Sequence, residues 1–220
     1  MTTVRFGSQI NRVTLFHGSP VSGITKFDPE CETFDRPGND TLGTGTYFTA
    51  SEPCAEKYAI LRSRQFRTGT PTVYRAALSD VSVVDLRERE VRIAALQEFM
   101  AFLRMLREAG NGAPHDFGVH GKLAEIHLRA PRSSRYRVER IISDSLAEYR
   151  ENPQPDDVRT VLDTGYSIIP GYFSRYLQAF GNHGLISAEG TDWHIGGADS
   201  WLVFEHYPNL QIVSERKLPA

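Results

Sequence analysis

Apolar residues fall in short runs near both ends of the chain and at helical spacing in its middle. Val13-Thr14-Leu15-Phe16 reads as a strand. Pro20 to Leu42 is rich in Pro, Gly, Asp and Thr and reads as loop. Thr46 to Thr49 is a short strand. Ser51 suits a helix N-cap and Pro53 a first turn, so a helix is predicted from there to about Arg64. Thr72 to Leu78 and Val81 to Leu86 read as two further strands. Then Val91, Ala94, Ala95, Phe99, Phe102, Leu103 and Leu106 recur at helical spacing, and Gly110-Asn111-Gly112-Ala113-Pro114 ends that helix. Further helices are predicted over about Val138 to Arg150 and Tyr172 to Ala179. Strand character returns in Gly184 to Ser187, Trp201 to Phe204 and Leu210 to Val213. There is no internal repeat and no low-complexity tract.

Strands at both ends and helices between them suggest one α+β domain over residues 1–220 with a helical insertion at about 88–180. A length of 220 residues fits one domain with an insertion better than two domains. Hydrophobic residues at 40% and charged residues at 24% are ordinary for a globule able to bury a core without staples. A net charge of −2 argues against a general nucleic-acid coat, and a local basic patch stays open. Cys31 and Cys54 form neither a metal spacing nor a disulfide framework. The first twelve residues hold no apolar signal core, and no apolar run approaches a membrane span. The expectation is a cytoplasmic protein, or an effector delivered into a target cell without a cleaved signal, with no membrane partner.

The candidate chemistry lies in three places. Leu15-Phe16-His17-Gly18-Ser19 is an apolar strand end running into a tight turn. Gly43-Thr44-Gly45-Thr46-Tyr47-Phe48 is a glycine-loosened entry to the next strand, and Ala55-Glu56-Lys57-Tyr58-Ala59 lies on the helix after it. A carboxamide can bond to the backbone N–H and C=O of one residue if no side chain blocks it, and Gly18 permits that approach. His17 offers an imidazole nitrogen to a hydroxyl, and Ser19 a hydroxyl nearby. Tyr47 can stack on a cationic ring, and Tyr58 can close the slot. Taken singly, these are a common turn and two ordinary core aromatics.

In order and spacing, His17-Gly18-Ser19, Gly-x-Gly-x-Tyr47-Phe48 and Tyr58 resemble the NAD-binding half of ADP-ribosyltransferases of the diphtheria-toxin and poly(ADP-ribose) polymerase type. The resemblance covers about residues 13–86 and 182–215. It implies a split, mainly antiparallel β-sheet fold with an NAD cleft. It also implies NAD as co-substrate, cleavage at the nicotinamide glycosidic bond, and transfer of ADP-ribose to a protein or nucleic acid, as a toxin or effector or a nucleic-acid modifier. By the same resemblance His17 holds the nicotinamide ribose, Tyr47 stacks on nicotinamide, and Gly18, Ser19 and Tyr58 complete the pocket.

The catalytic Glu of the resembled pattern falls on Ser200, with Asp199 one residue earlier. Strand residues alternate faces, so only one of the two points into the site unless a bulge follows Gly196-Gly197. Asp199, the preferred of the two, would favour the charge that develops as nicotinamide leaves. With Ser200 inward the site lacks a carboxylate, and polymer formation is not expected. The alternative function is a catalytically weak module that binds NAD or ADP-ribose. A tRNA 2′-phosphotransferase-like enzyme would need more basic residues flanking the cleft. Glu205 reads as a strand-end surface residue. Asp192, Trp193 and His194 lie on a loop that by the same resemblance touches the acceptor, or that is an ordinary exposed loop with Trp193 folded back on the core. His183, His194 and His206 match no zinc spacing, and no metal is expected. Arg129, Arg132, Arg135, Arg137 and Arg140, with Tyr136, form a weak hint of a nucleic-acid acceptor. The helix bearing Phe99 and Phe102 is either insertion core or a face for an inhibitory partner protein.

Overall fold

A computed structural model describes residues 6–27, 45–67, 69–109, 140, 147, 168–187, 199–204 and 207–219. The strands are β1 (Gly7–Ser19), β2 (Thr46–Thr49), β3 (Thr72–Asp85), β4 (Gly184–Ser187), β5 (Ser200–Val203) and β6 (Leu210–Lys217). The helices described over their full length are α1 (Glu52–Phe66), α2 (Arg89–Ala109) and α3 (Ile168–Ala179), and residues 140 and 147 are also helical. The protein is α+β, and its sheet is mainly antiparallel, with β3–β4 as the parallel pair.

The described strands form one sheet in the order β1-β2-β5-β4-β3-β6, with β1 also paired to β3. One edge of β3 runs along β1. Its other edge serves β6 over Thr72–Leu78 and β4 over Val83–Asp85. The ring β1-β2-β5-β4-β3 therefore closes on itself, and β6 flanks it. Inside the ring, all five strands contribute Leu15, Phe48, Ala76, Leu78, Val81, Val83, Ile186, Trp201 and Val203 to an apolar core that, among the described residues, contains no helix residue. Two helical layers cover the outside. α2 and α3 pack over Val84, Leu185 and Leu202. Ala55 and Ala59 of α1 pack over Val73 and Leu218, with Phe16 beside them.

Several elements differ from expectation. β1 runs from Gly7 to Ser19, so His17-Gly18-Ser19 is strand and not a tight turn, because β3 pairs with it as far as Ser19; β6 likewise continues along β3 to Lys217. Thr72 to Asp85 is one strand, not two. Asp80, at the expected break, adopts φ +55° within a strand that β1 pairs on both sides. There the alternation inverts, so Leu78 and Val81 both face the core. α3 begins at Ile168 rather than Tyr172, because Pro170 sits in its first turn, where a missing N–H breaks no helical bond. Ser51 does occupy the N-cap position of α1, but its carbonyl, not its hydroxyl, accepts the first helical N–H groups, from Cys54 and Ala55. The helix predicted over Val138 to Arg150 lies outside the described residues except at 140 and 147, and so do most of the 20–42 loop and Cys31. No helix among the described residues is long and apolar enough to cross a membrane.

Candidate functional site

Strand order brings the three motif segments side by side. Phe16 of β1 faces Thr49 of β2, Thr49 faces Ser200 of β5, and Ser200 faces Ser187 of β4. Cross-strand partners share a face and chain neighbours alternate. Phe16, Gly18, Tyr47, Thr49, Ser200 and Ser187 therefore lie on the outer face of this wall. His17, Phe48 and Trp201 lie on the inner face. The structure thus gathers Gly18, Tyr47 and Ser200 on one side and places the His17 ring on the other.

Gly18 is buried against α1. A Cβ there would come within 2.1 Å of the Ala55 carbonyl oxygen and 2.9 Å of the Ala59 nitrogen. The glycine lets helix and strand backbones touch. Ser19 is fully buried, and its hydroxyl accepts the Val21 N–H at 3.0 Å. Gly45 does for β2 what Gly18 does for β1: its φ is +154°, and a Cβ would meet the Val203 carbonyl at 2.4 Å. Tyr47 is half-buried and borders the cluster formed by α2 and α3. These helices fall within the expected insertion. Tyr58 lies between the buried Cys54 and Ala55 around α1, and the Arg62 guanidinium sits 5.3 Å from its ring centre.

His17 joins the two glycine-bearing motifs. Its Nδ1 lies 2.7 Å from the Tyr47 carbonyl oxygen. A carbonyl can only accept, so Nδ1 carries the proton and Nε2 keeps its lone pair. Phe27, Phe48 and Tyr74 surround the ring at centroid distances of 5.0, 5.8 and 6.3 Å. Burial lowers the imidazole pKa below its ordinary 6.5, against the opposing pull of the Tyr47 carbonyl.

Ser200 opens β5 and is buried; its neighbour Asp199 lies just outside the strand at the rim. Asp199 is bound by Arg87, which also donates from Nε to Asp85 at 2.8 Å. The Asp85 hydrogen bond, and then Asp199, raises the pKa of the guanidinium and holds it charged. Arg87, Asp85, Thr49, Ser187, Phe27 and Tyr74 belong to no motif that marks them in the sequence as part of a site. Asp85-Leu86-Arg87 has the i, i+2 spacing of one strand face, a signal open to use. The partners from distant strands had none.

His183 directly precedes β4. Its Nδ1 accepts the Ser82 N–H at 3.0 Å, and its ring packs on Tyr207 at 4.7 Å. Arg140 is exposed. Asp192, Trp193, His194, Glu205, His206, Gly196-Gly197, Arg129, Arg132, Arg135, Arg137 and Tyr136 lie outside the described residues. Among the described residues, no three His, Cys, Asp or Glu side chains are placed to hold a metal ion.

No protein-family model matches the chain, and no curated protein matches it. Among solved structures, the chain is similar to one in the crystal structure of the M. tuberculosis MbcT–MbcA toxin–antitoxin complex. Identity is 12%, the match covers 97% of this chain and 87% of that one, and the TM-score is 0.47.

Proposed function

We propose that the protein is an NAD-dependent mono-ADP-ribosyltransferase of split-sheet type acting on a macromolecular acceptor. One observation carries the reading: the His17–Tyr47 carbonyl bond ties together two motifs thirty residues apart that resemble one NAD site. NAD binds with nicotinamide against Gly18, Tyr47 and Tyr58. The nicotinamide–ribose bond breaks with its electron pair leaving on the nicotinamide nitrogen. The ribosyl carbon develops oxocarbenium character, and an acceptor nucleophile bonds to that carbon and sheds its proton. From the opposite face of the wall, the neutral His17 holds β1 to β2 through the Tyr47 carbonyl and so positions Tyr47. The insertion carries acceptor contacts, with Arg132, Arg135 and Arg137 as candidates, or a docking face for an inhibitory protein.

A second reading has its own support. Ser200 stands where the resembled pattern has Glu, and the adjacent carboxylate of Asp199 is neutralised by Arg87. Both features fit a weak enzyme or a module that holds NAD or ADP-ribose. Nicotinamide release from NAD by the purified protein separates the two. Wild-type protein should release it, and His17→Ala and Tyr47→Ala should each cut the rate on the order of 100-fold, the size of a lost positioning contact. Folded variants that match wild type would defeat the site assignment, and a wild type that binds NAD without consuming it would favour the module.

A further inference from the structure

Phe27 comes ten residues after His17, on a segment that is neither helix nor strand. Yet, like His17, it touches every other ring of the cluster. It meets His17 at 5.0 Å, Phe48 at 5.2 Å and Tyr74 at 5.8 Å, each close to edge-on. The segment that delivers it is pinned from three strands. Ser19 of β1 accepts the Val21 N–H. Glu215 of β6 accepts the Gly23 N–H at 2.9 Å. Tyr74 of β3, which faces His17 in register, does two things with one hydroxyl: it donates to the Val21 carbonyl at 2.8 Å and accepts from the Ile24 N–H at 3.0 Å.

We propose that Phe27 and Tyr74 are positioning residues for His17: Phe27 closes an aromatic box over the imidazole, and the Tyr74 hydroxyl latches the segment that carries Phe27. Among the described residues the Tyr47 carbonyl is the hydrogen-bond partner of this half-buried ring, and the box reduces the water that would stabilise a charge on it. Among the described residues, Tyr74 is the titratable group packed on the ring, with Glu215 beyond it. Burial, and then Glu215, raises the phenol pKa, so Tyr74 remains the neutral donor-and-acceptor that the latch requires. The imidazole is thereby kept in one tautomer, with the proton on Nδ1 and the Tyr47 backbone held by it. That this serves NAD rests on the function proposed above; the enclosure itself does not.

The test is an NMR titration of the His17 ring in the full chain without NAD, with the signal assigned by His17→Gln. Phe27→Ala should move the His17 midpoint up toward the 6.5 of an open imidazole. Phe27→Leu, which keeps an apolar cover, should restore the wild-type midpoint. Tyr74→Phe keeps the ring and removes only the hydroxyl, so it should speed hydrogen exchange at the Ile24 amide and raise the His17 midpoint. An unchanged midpoint in a folded Phe27→Ala protein would overturn the box. Unchanged exchange and midpoint in Tyr74→Phe would overturn the latch. A protein that shows these shifts but consumes no NAD would leave this inference standing and remove the enzymatic one.

Discussion

His17 and Tyr47 occupy opposite faces of one strand wall, and the faces differ in chemistry. On the inner face the imidazole sits among phenyl and phenol rings, over a core of aliphatic side chains. On the outer face Tyr47 and the hydroxyls of Thr49, Ser200 and Ser187 share a row that ends at Phe16 and the helix-packed Gly18. The wall is one strand thick, so a carbonyl of β2 connects the sides: Tyr47 offers its ring to one face and, through its backbone, fixes the tautomer of a histidine on the other. Neighbours in one motif thus serve different environments. His17 is governed by desolvation, and Gly18 by the approach of a helix.

The largest expected effect tests that division at Gly18. Gly18→Ala places a methyl where the Ala55 carbonyl already lies, so α1 must shift or the strand must bend. Overpacking at backbone contacts predicts a loss of about 3 kcal/mol, read by urea denaturation. If the variant is as stable as wild type and still loses NAD use, Gly18 serves the ligand and not the helix.

Much of the wall could be read from the sequence. β2, α1, α2, β4 and β5 appear in the expected places because alternation, capping residues and helical periodicity are local signals. Which face each residue takes could not be read, because it depends on pairings across long separations. Phe16-His17 and Tyr47-Phe48 both alternate, and only the Phe16–Thr49 register decides that His17 joins Phe48 and not Tyr47. The reason for Gly18 was hidden likewise, since the atom that excludes a side chain there belongs to a helix 37 residues further on. The Arg87–Asp199 pair spans 112 residues and carries no motif.

A smaller effect separates the faces by pH. His17 inside the ring and His183 beside Ser82 both have pKa values lowered by burial. Below about 6.5 the unfolded histidines bind protons that the folded ones resist, so the unfolded state holds more protons. Stability should therefore rise with pH up to that point, level off above it, and fall as pH drops from 6.5 toward the lowered folded values. Urea midpoints at pH 7.5 and 5.5 measure this. His183→Asn should flatten part of the slope, because protonation at Nδ1 would break the Ser82 bond. An unaltered slope would assign that part of the titration to other groups.

The smallest effect concerns the rim, where Asp199 and Ser200 compete for one role. Ser200 is on the face of Tyr47, and Asp199 is outside the strand with its charge balanced by Arg87. If the outer face is the site, Ser200→Ala should lower transfer by about 10-fold, and Asp199→Ala by no more than a few-fold, the weak return of a half-exposed ion pair. Arg87→Ala distinguishes the remaining possibility. Removing the cation frees Asp199 to turn toward the ribose and should raise turnover, with little change in NAD affinity, if that carboxylate can supply the missing stabilisation. If instead Arg87→Ala and Asp199→Ala both lower turnover to the same extent, the ion pair works as a unit and fixes the start of β5. Ser200 would then owe its orientation to that pair, and the double variant should show no further loss beyond either single change.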